Sequence, residues 1–274
     1  MNEAPGLILP QLPNNLESLF KQEEDIRVKS ILHINSDNDL KHHLEMVHDS
    51  LNLIFDLTIP YEPLSDDETT IQYLGLRLFN SIVCALKLLL SGYYQNSVAL
   101  QRDILETGFL LDYFTIDASK IAEWKISDDA ERYRKFKPKL VREALDARDG
   151  FTGKKRGEIY KMMCEYATHP SLSGVKLVTS SGGARIGAFL DLPLLKAILE
   201  ELVLRVPHSA LVYLHHFKNL PTQYLKLQID FFDKVKNWSV KYRNIDLSKI
   251  DMQTLKGWIE QIEIQTKTLQ KKTL

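Results

Sequence analysis

The sequence predicts an all-α protein, a multi-helix bundle around a central antiparallel helix hairpin at residues 66–114. Three observations predict it. Residues 71–114 are the most apolar stretch of the chain, and their apolar positions recur at steps of three and four. Helix-start signals, such as Ser65 followed three residues on by Glu68, punctuate the rest. Strand-like β-branched runs gather in VKLVTSSGGARIGAFL, which leaves room for one short β-hairpin near 175–190.

Taken in order, residues 1–13 hold three prolines and little helical pattern, and read as an extended arm preceding one helical domain at 14–274. Asn14 or Asn15 can cap a helix running to about Ser30, and the cap-rich INSDND segment introduces a second near Asp37–Leu57. In the central hairpin Ile71, Leu74, Leu78, Ile82, Leu86 and Leu89 form the first helix's stripe. Gly92 suits the left-handed end of that helix, and Asn96 or Ser97 can cap the next. Asp117 and Ser127 can cap two short helices, with Pro138 restarting a third segment. Residues 155–168 read as a further helix ending at His169–Pro170. Asp191 with Pro193 opens a long one, which Pro207 should kink or break. Asn219–Pro221 starts the next, and a final amphipathic helix is expected from about residue 250. In all, nine to eleven helices are expected.

Composition excludes several classes. The chain of 274 residues is 44% hydrophobic and 26% charged, with formal net charge −1 and pI near 6.7. Such a balance exerts no global pull toward nucleic acid or anionic membrane, so any such binding needs a local patch. Cys84 and Cys164 sit at apolar helical positions and read as reduced core residues. The start lacks a signal-peptide pattern, and Lys87 interrupts the longest apolar run, short of the ~20 residues of a spanning helix. The expectation is a cytoplasmic protein with no membrane segment and no cofactor.

Four groups of residues invite a chemical reading. In the second central helix only Arg102, Asp103 and Glu106 are charged between Ser97 and Leu111; Arg102 falls in the sector of Val98, Leu105 and Phe109, and Asp103 near Leu110 and Phe114. A charge there costs several kcal/mol unless paired, so the trio either knits the core or lines a cleft. Tyr166 and His169 close a helix, where histidine can act as base or answer the helix's free carbonyls. From Arg132 to Arg142 stand Arg132, Arg134, Lys135, Lys137, Lys139 and Arg142, interleaved with Tyr133 and Phe136. Such a run either holds a phosphate backbone or forms a solvated face flanked by acids. Lastly, His42, Glu45 and His48 miss the H-E-x-x-H spacing, and no metal site is assigned. The glycines beside SSGG lack the Lys-Ser/Thr of a phosphate loop.

The helix reading A-L-x-R-D-x-x-E-T (Ala99, Leu100, Arg102, Asp103, Glu106, Thr107) follows a G-Y-x-Q turn, and a later tyrosine-rich helix ends Y-x-x-H-P. Over residues 70–220 this resembles a group of uncharacterised bacterial all-helical proteins, themselves similar to the HEPN superfamily of RNA-cutting toxins and defence proteins. HEPN nucleases carry an arginine, a polar residue and, four to six residues on, a histidine. Here Arg27 and His33 stand at that distance, with Val28 in the polar position. The resemblance implies an RNA-directed nuclease or nucleotide-binding protein of bacterial stress or phage defence, dimeric at the seam. Its base would be His169, its charge stabiliser Arg102 and its orienting residue Glu106, beside Asp103 and Tyr166, with 132–142 holding RNA. The alternative from the residues alone is a non-catalytic helical scaffold or interaction module that meets a protein partner or a second copy.

Overall fold

A computed structural model describes residues 12–180 and 183–245. It is an all-α bundle of packed helices, with one small antiparallel ribbon. Helix α1 spans Asn14–Ser36, α2 Asn38–Thr58, α3 Asp66–Leu90 and α4 Tyr94–Ile116. Short segments follow: α5 Ser119–Ile126, α6 Asp129–Lys135, α7 Pro138–Arg148, α8 Lys155–Met163 and the single turn α9 Leu172–Val175. The strands β1 Thr179–Ser180 and β2 Gly183–Ala184 pair Thr179 with Ala184 and Ser180 with Gly183. Helices α10 Leu192–Leu214 and α11 Thr222–Arg243 complete the described chain. The expected arm at 1–13 lies outside the described residues but for Leu12 and Pro13, as does the final helix expected from residue 250.

The hairpin α3–α4 is the frame. Gly92 turns the chain with φ +81°, and the Tyr93 amide donates to the Leu88 carbonyl across 2.8 Å. A side chain at Gly92 would meet the Phe189 backbone at 2.3 Å, so the turn needs glycine for space as well as conformation. Ser97 Oγ donates to the Ala85 carbonyl and Asp103 accepts from Ser81 and Arg77, so the pairing runs antiparallel. Ser97 is therefore an inter-helix tie and not the expected cap; α4 starts three residues earlier at Tyr94.

The core joins α3 and α4 to α2 and α10. Leu78, Ile82 and Leu89 meet Ile104, Leu111 and Phe114, with Leu195, Leu199, Leu202 and Val206 closing from α10. Each such buried side chain contributes about 1.5–3 kcal/mol relative to exposure. By length and composition α3 is able to cross a membrane, which corrects the expectation that no segment qualifies. In this fold its apolar stripe is buried against other helices.

Several ends follow the predicted chemistry. Asp37 accepts from the amides of Asp39 and Leu40, and Asp191 from that of Leu194. Ser65 accepts from the Glu68 amide, while Glu68 reaches back one residue further than a capping box, to the Leu64 amide. Elsewhere the details differ. Asp128 caps α6, because Ser127 instead donates to the Glu123 carbonyl. Helix α10 runs unbroken through Pro207: Val206, Pro207 and Ala210 are all buried, and that packing outweighs the hydrogen bond a proline removes. Cys164 is buried, but Cys84 is exposed and is not a core residue.

Candidate functional site

Arg102, Asp103 and Glu106 keep only 23–25% of their side-chain exposure and are all hydrogen-bonded. They divide between two neighbours. Asp103 turns to α3, accepting from Ser81 Oγ at 2.6 Å and from Arg77. Arg102 turns to α8, donating to Glu106 Oε1 at 3.0 Å and to the Tyr160 hydroxyl at 2.8 Å. Burial and then Glu106 push that hydroxyl up to about 12, so Tyr160 stays protonated beside the arginine. Arg142 of α7 stacks on the same ring, its guanidinium carbon 3.8 Å from the centroid, against 5.0 Å for Arg102. A cleft of about 230 Å³ opens beside them, lined by Arg77, Asp103, Glu106 and Arg142 with Leu74, Trp124 and Phe136. Arg142 Nη1 is buried there with no hydrogen-bond partner among the described residues.

The Y-x-x-H-P segment is not an α-helical turn. Helix α8 ends at Met163, and Cys164–Thr168 widens into a π turn closed by the His169 amide on the Cys164 carbonyl at 2.9 Å. The wider turn separates the two candidates. Tyr166 is half-buried and lines an apolar cleft of about 200 Å³ with Val98, Met162, Met163, Leu194 and Ile198. His169 is exposed, and its side chain makes no hydrogen bond or ion pair among the described residues. It lines neither cleft. On α1, Arg27 is held by Glu24.

Most of the basic run is answered by acids. Arg132 pairs with Asp129 at 3.1 Å, Arg134 with Glu131 at 3.7 Å and Lys139 with Glu143 at 3.7 Å. Lys135 meets Glu123 at 3.0 Å and Glu131 at 3.6 Å. Lys137 lies over the Tyr133 ring and Arg142 over Tyr160. The local cationic field is thus smaller than the sequence count suggests, because the acids in the first turn of α6 lie one turn from the bases in its last.

Three histidines serve inter-helix packing. Trp238 donates to His43 Nδ1 at 3.1 Å, and burial lowers the His43 pKa. His42 meets the Tyr242 hydroxyl at 3.1 Å. His216 bonds through Nε2 to the Leu111 carbonyl at 2.9 Å, and burial holds its pKa down at about 4.

One feature was not legible in the sequence. A crevice of about 490 Å³ lies among α4, α8, α10 and the end of α11, with Lys155, Arg156, Arg205, His208 and Arg243 on its walls. These residues are scattered over nearly ninety positions, and no local run announces them. Fold and sites together define an all-α bundle with polar inter-helix ties and lateral clefts. No family model, curated protein or solved structure matches the chain.

Proposed function

We propose that this chain is a non-catalytic helical interaction module of the cytoplasm, meeting its partner through the exposed start of α1. One observation carries the reading: between Asn14 and Asp25 no α1 residue is buried, yet Leu16 and Phe20 are 40% and 48% exposed. Helices of this length draw most of their stability from packing an apolar face, so three turns without a buried residue call for a covering surface. Gln22 bonds to the Ala188 carbonyl, on the segment where Ile186 also stands exposed, which widens the apolar area. The charges along this stretch pair within the helix, Lys21 with Glu17 at 2.8 Å and Arg27 with Glu24, so the apolar side chains are what a second copy would cover. The pairing of Arg102, Asp103 and Glu106 within the bundle supports a structural role for the trio.

Sedimentation velocity tests this reading. The wild type is expected to dimerise with rising concentration, and Leu16→Glu with Phe20→Glu to leave a folded monomer. A wild type that stays monomeric throughout, or a double variant that dimerises equally, removes the reading.

A second reading is the HEPN-like one, an RNA-directed nuclease or nucleotide-binding protein in bacterial defence. It is favoured by Arg142, which lines the 230 Å³ cleft and whose buried Nη1 lacks a hydrogen-bond partner among the described residues. Single-stranded RNA binding should then weaken steeply with salt and with Arg134→Glu plus Lys137→Glu, and cleavage should vanish in His169→Ala. Intact RNA and no binding at low salt dispose of it.

A further inference from the structure

The 490 Å³ crevice combines depth, an apolar wall and cations from three helices. Its volume lies within the range of small-molecule sites. Leu105 and Phe109 of α4, Ile159 and Met162 of α8, and Leu204 of α10 supply the wall. Gly108 makes the depth, because α4 and α10 touch there: a Cβ on it would stand 2.5 Å from Ser209 Oγ.

The charges are unevenly answered. Arg156 is neutralised from behind by Asp146 at 2.9 Å and by Asp149. Arg205 is only 8% exposed; it pairs with Glu201, the one acid lining the crevice, and its Nε is buried without a partner among the described residues. Lys155 and Arg243 are exposed and make no ion pair among the described residues. His208 stands on the wall, reached by solvent yet surrounded by protein. Burial holds its pKa below the ordinary value; Asp112 works against that, and Arg156, Arg243 and Arg148 add to it. A neutral His208 can donate one hydrogen bond and adds no cation of its own.

We propose that this crevice binds a small amphipathic anion, an apolar chain or ring that ends in a single carboxylate. The apolar body would lie along Leu105, Ile159, Met162 and Leu204. The carboxylate would be held by Lys155 and Arg243, the two cations that no acid answers among the described residues, with Arg205 on the same wall. The scarcity of neutral polar groups on the wall argues against a nucleoside, whose base and sugar would leave hydrogen bonds unmade. This proposal is independent of the self-association reading.

Calorimetric titration of the full chain with decanoate tests it, with decanol and inorganic phosphate as separate arms. Decanoate is expected to bind at least about tenfold more tightly than decanol, and phosphate alone not to bind, since both charge and apolar body are needed. Equal affinity for decanol and decanoate overturns the proposal, as does phosphate binding as tight as that of decanoate. Lys155→Glu with Arg243→Glu, two exposed positions that leave the core intact, should weaken decanoate by about tenfold. Leu204→Trp should block it by filling the crevice, whereas Ala197→Trp, in the neighbouring apolar cleft, should not. Loss of binding in Ala197→Trp alone would move the ligand elsewhere and defeat the assignment.

Discussion

Gly75→Ala is expected to destabilise this protein, although alanine is the better helix former. Gly75 lies in α3 where it crosses Tyr213, and an added Cβ would stand 2.6 Å from Cε2, Cζ and the hydroxyl of that ring. The ring has no room to yield. Tyr213 is fully buried, and its hydroxyl bonds Thr58 Oγ1 at 2.8 Å and the Leu57 carbonyl at 3.3 Å. Overpacking of this kind costs about 1–3 kcal/mol, and each hydrogen bond lost as the ring shifts adds about 1. Removing a glycine from a helix interior returns only about 1 kcal/mol. The net expectation is roughly 2 kcal/mol of lost stability, read as a lower denaturant midpoint at constant slope. In a Tyr213→Leu background the opposing atoms are gone, and the same substitution should stabilise by up to ~1 kcal/mol. A Gly75→Ala protein as stable as the wild type, or no change of sign between backgrounds, would refute the packing argument.

Three further outcomes can be checked by equilibrium unfolding. Tyr160→Phe removes the hydroxyl that accepts from Arg102, and should cost about 1–2 kcal/mol, whereas Tyr73→Phe, at an exposed position without such a bond, should cost almost nothing. Asp37→Ala removes the acceptor for two amides at the start of α2 and should cost about 1 kcal/mol. His216 contributes a pH dependence. Its folded pKa of about 4 lies below the ordinary 6.5, so the unfolded chain takes up the proton first. That contribution is complete above pH 6.5 and is lost as pH falls toward 4, by roughly 2 kcal/mol once partial solvent access is allowed for. His43, His208 and His215, whose pKa values are also lowered, add to the same slope. His216→Gln should flatten part of it in melts recorded across this range.

The sequence by itself determined the helical architecture and where its frame lies. Apolar spacing in 71–114, Gly92 at the turn, and the caps at Asp37, Ser65 and Asp191 are local signals, and local geometry answers them directly. The burial of Arg102, Asp103 and Glu106 was also legible, because a helix that is apolar on most sides forces its charges inward. Which partners they took was not: Arg77 lies 26 residues from Asp103, and Tyr160 lies 58 residues from Arg102. Tertiary structure decided these pairings, and it also overrode local chemistry at Pro207, Ser97 and Ser127, where packing or a neighbouring carbonyl offered more than the expected break or cap. In the basic run the pairs with Glu131 and Glu143 are one-turn neighbours within a helix and were open to sequence reading as a face flanked by acids, whereas Glu123 reaches Lys135 from a different helix. The large crevice belongs wholly to the tertiary level. Lys155, Arg205 and Arg243 come from three different helices, and a cavity exists only where helices meet, so no periodicity within one helix could encode it.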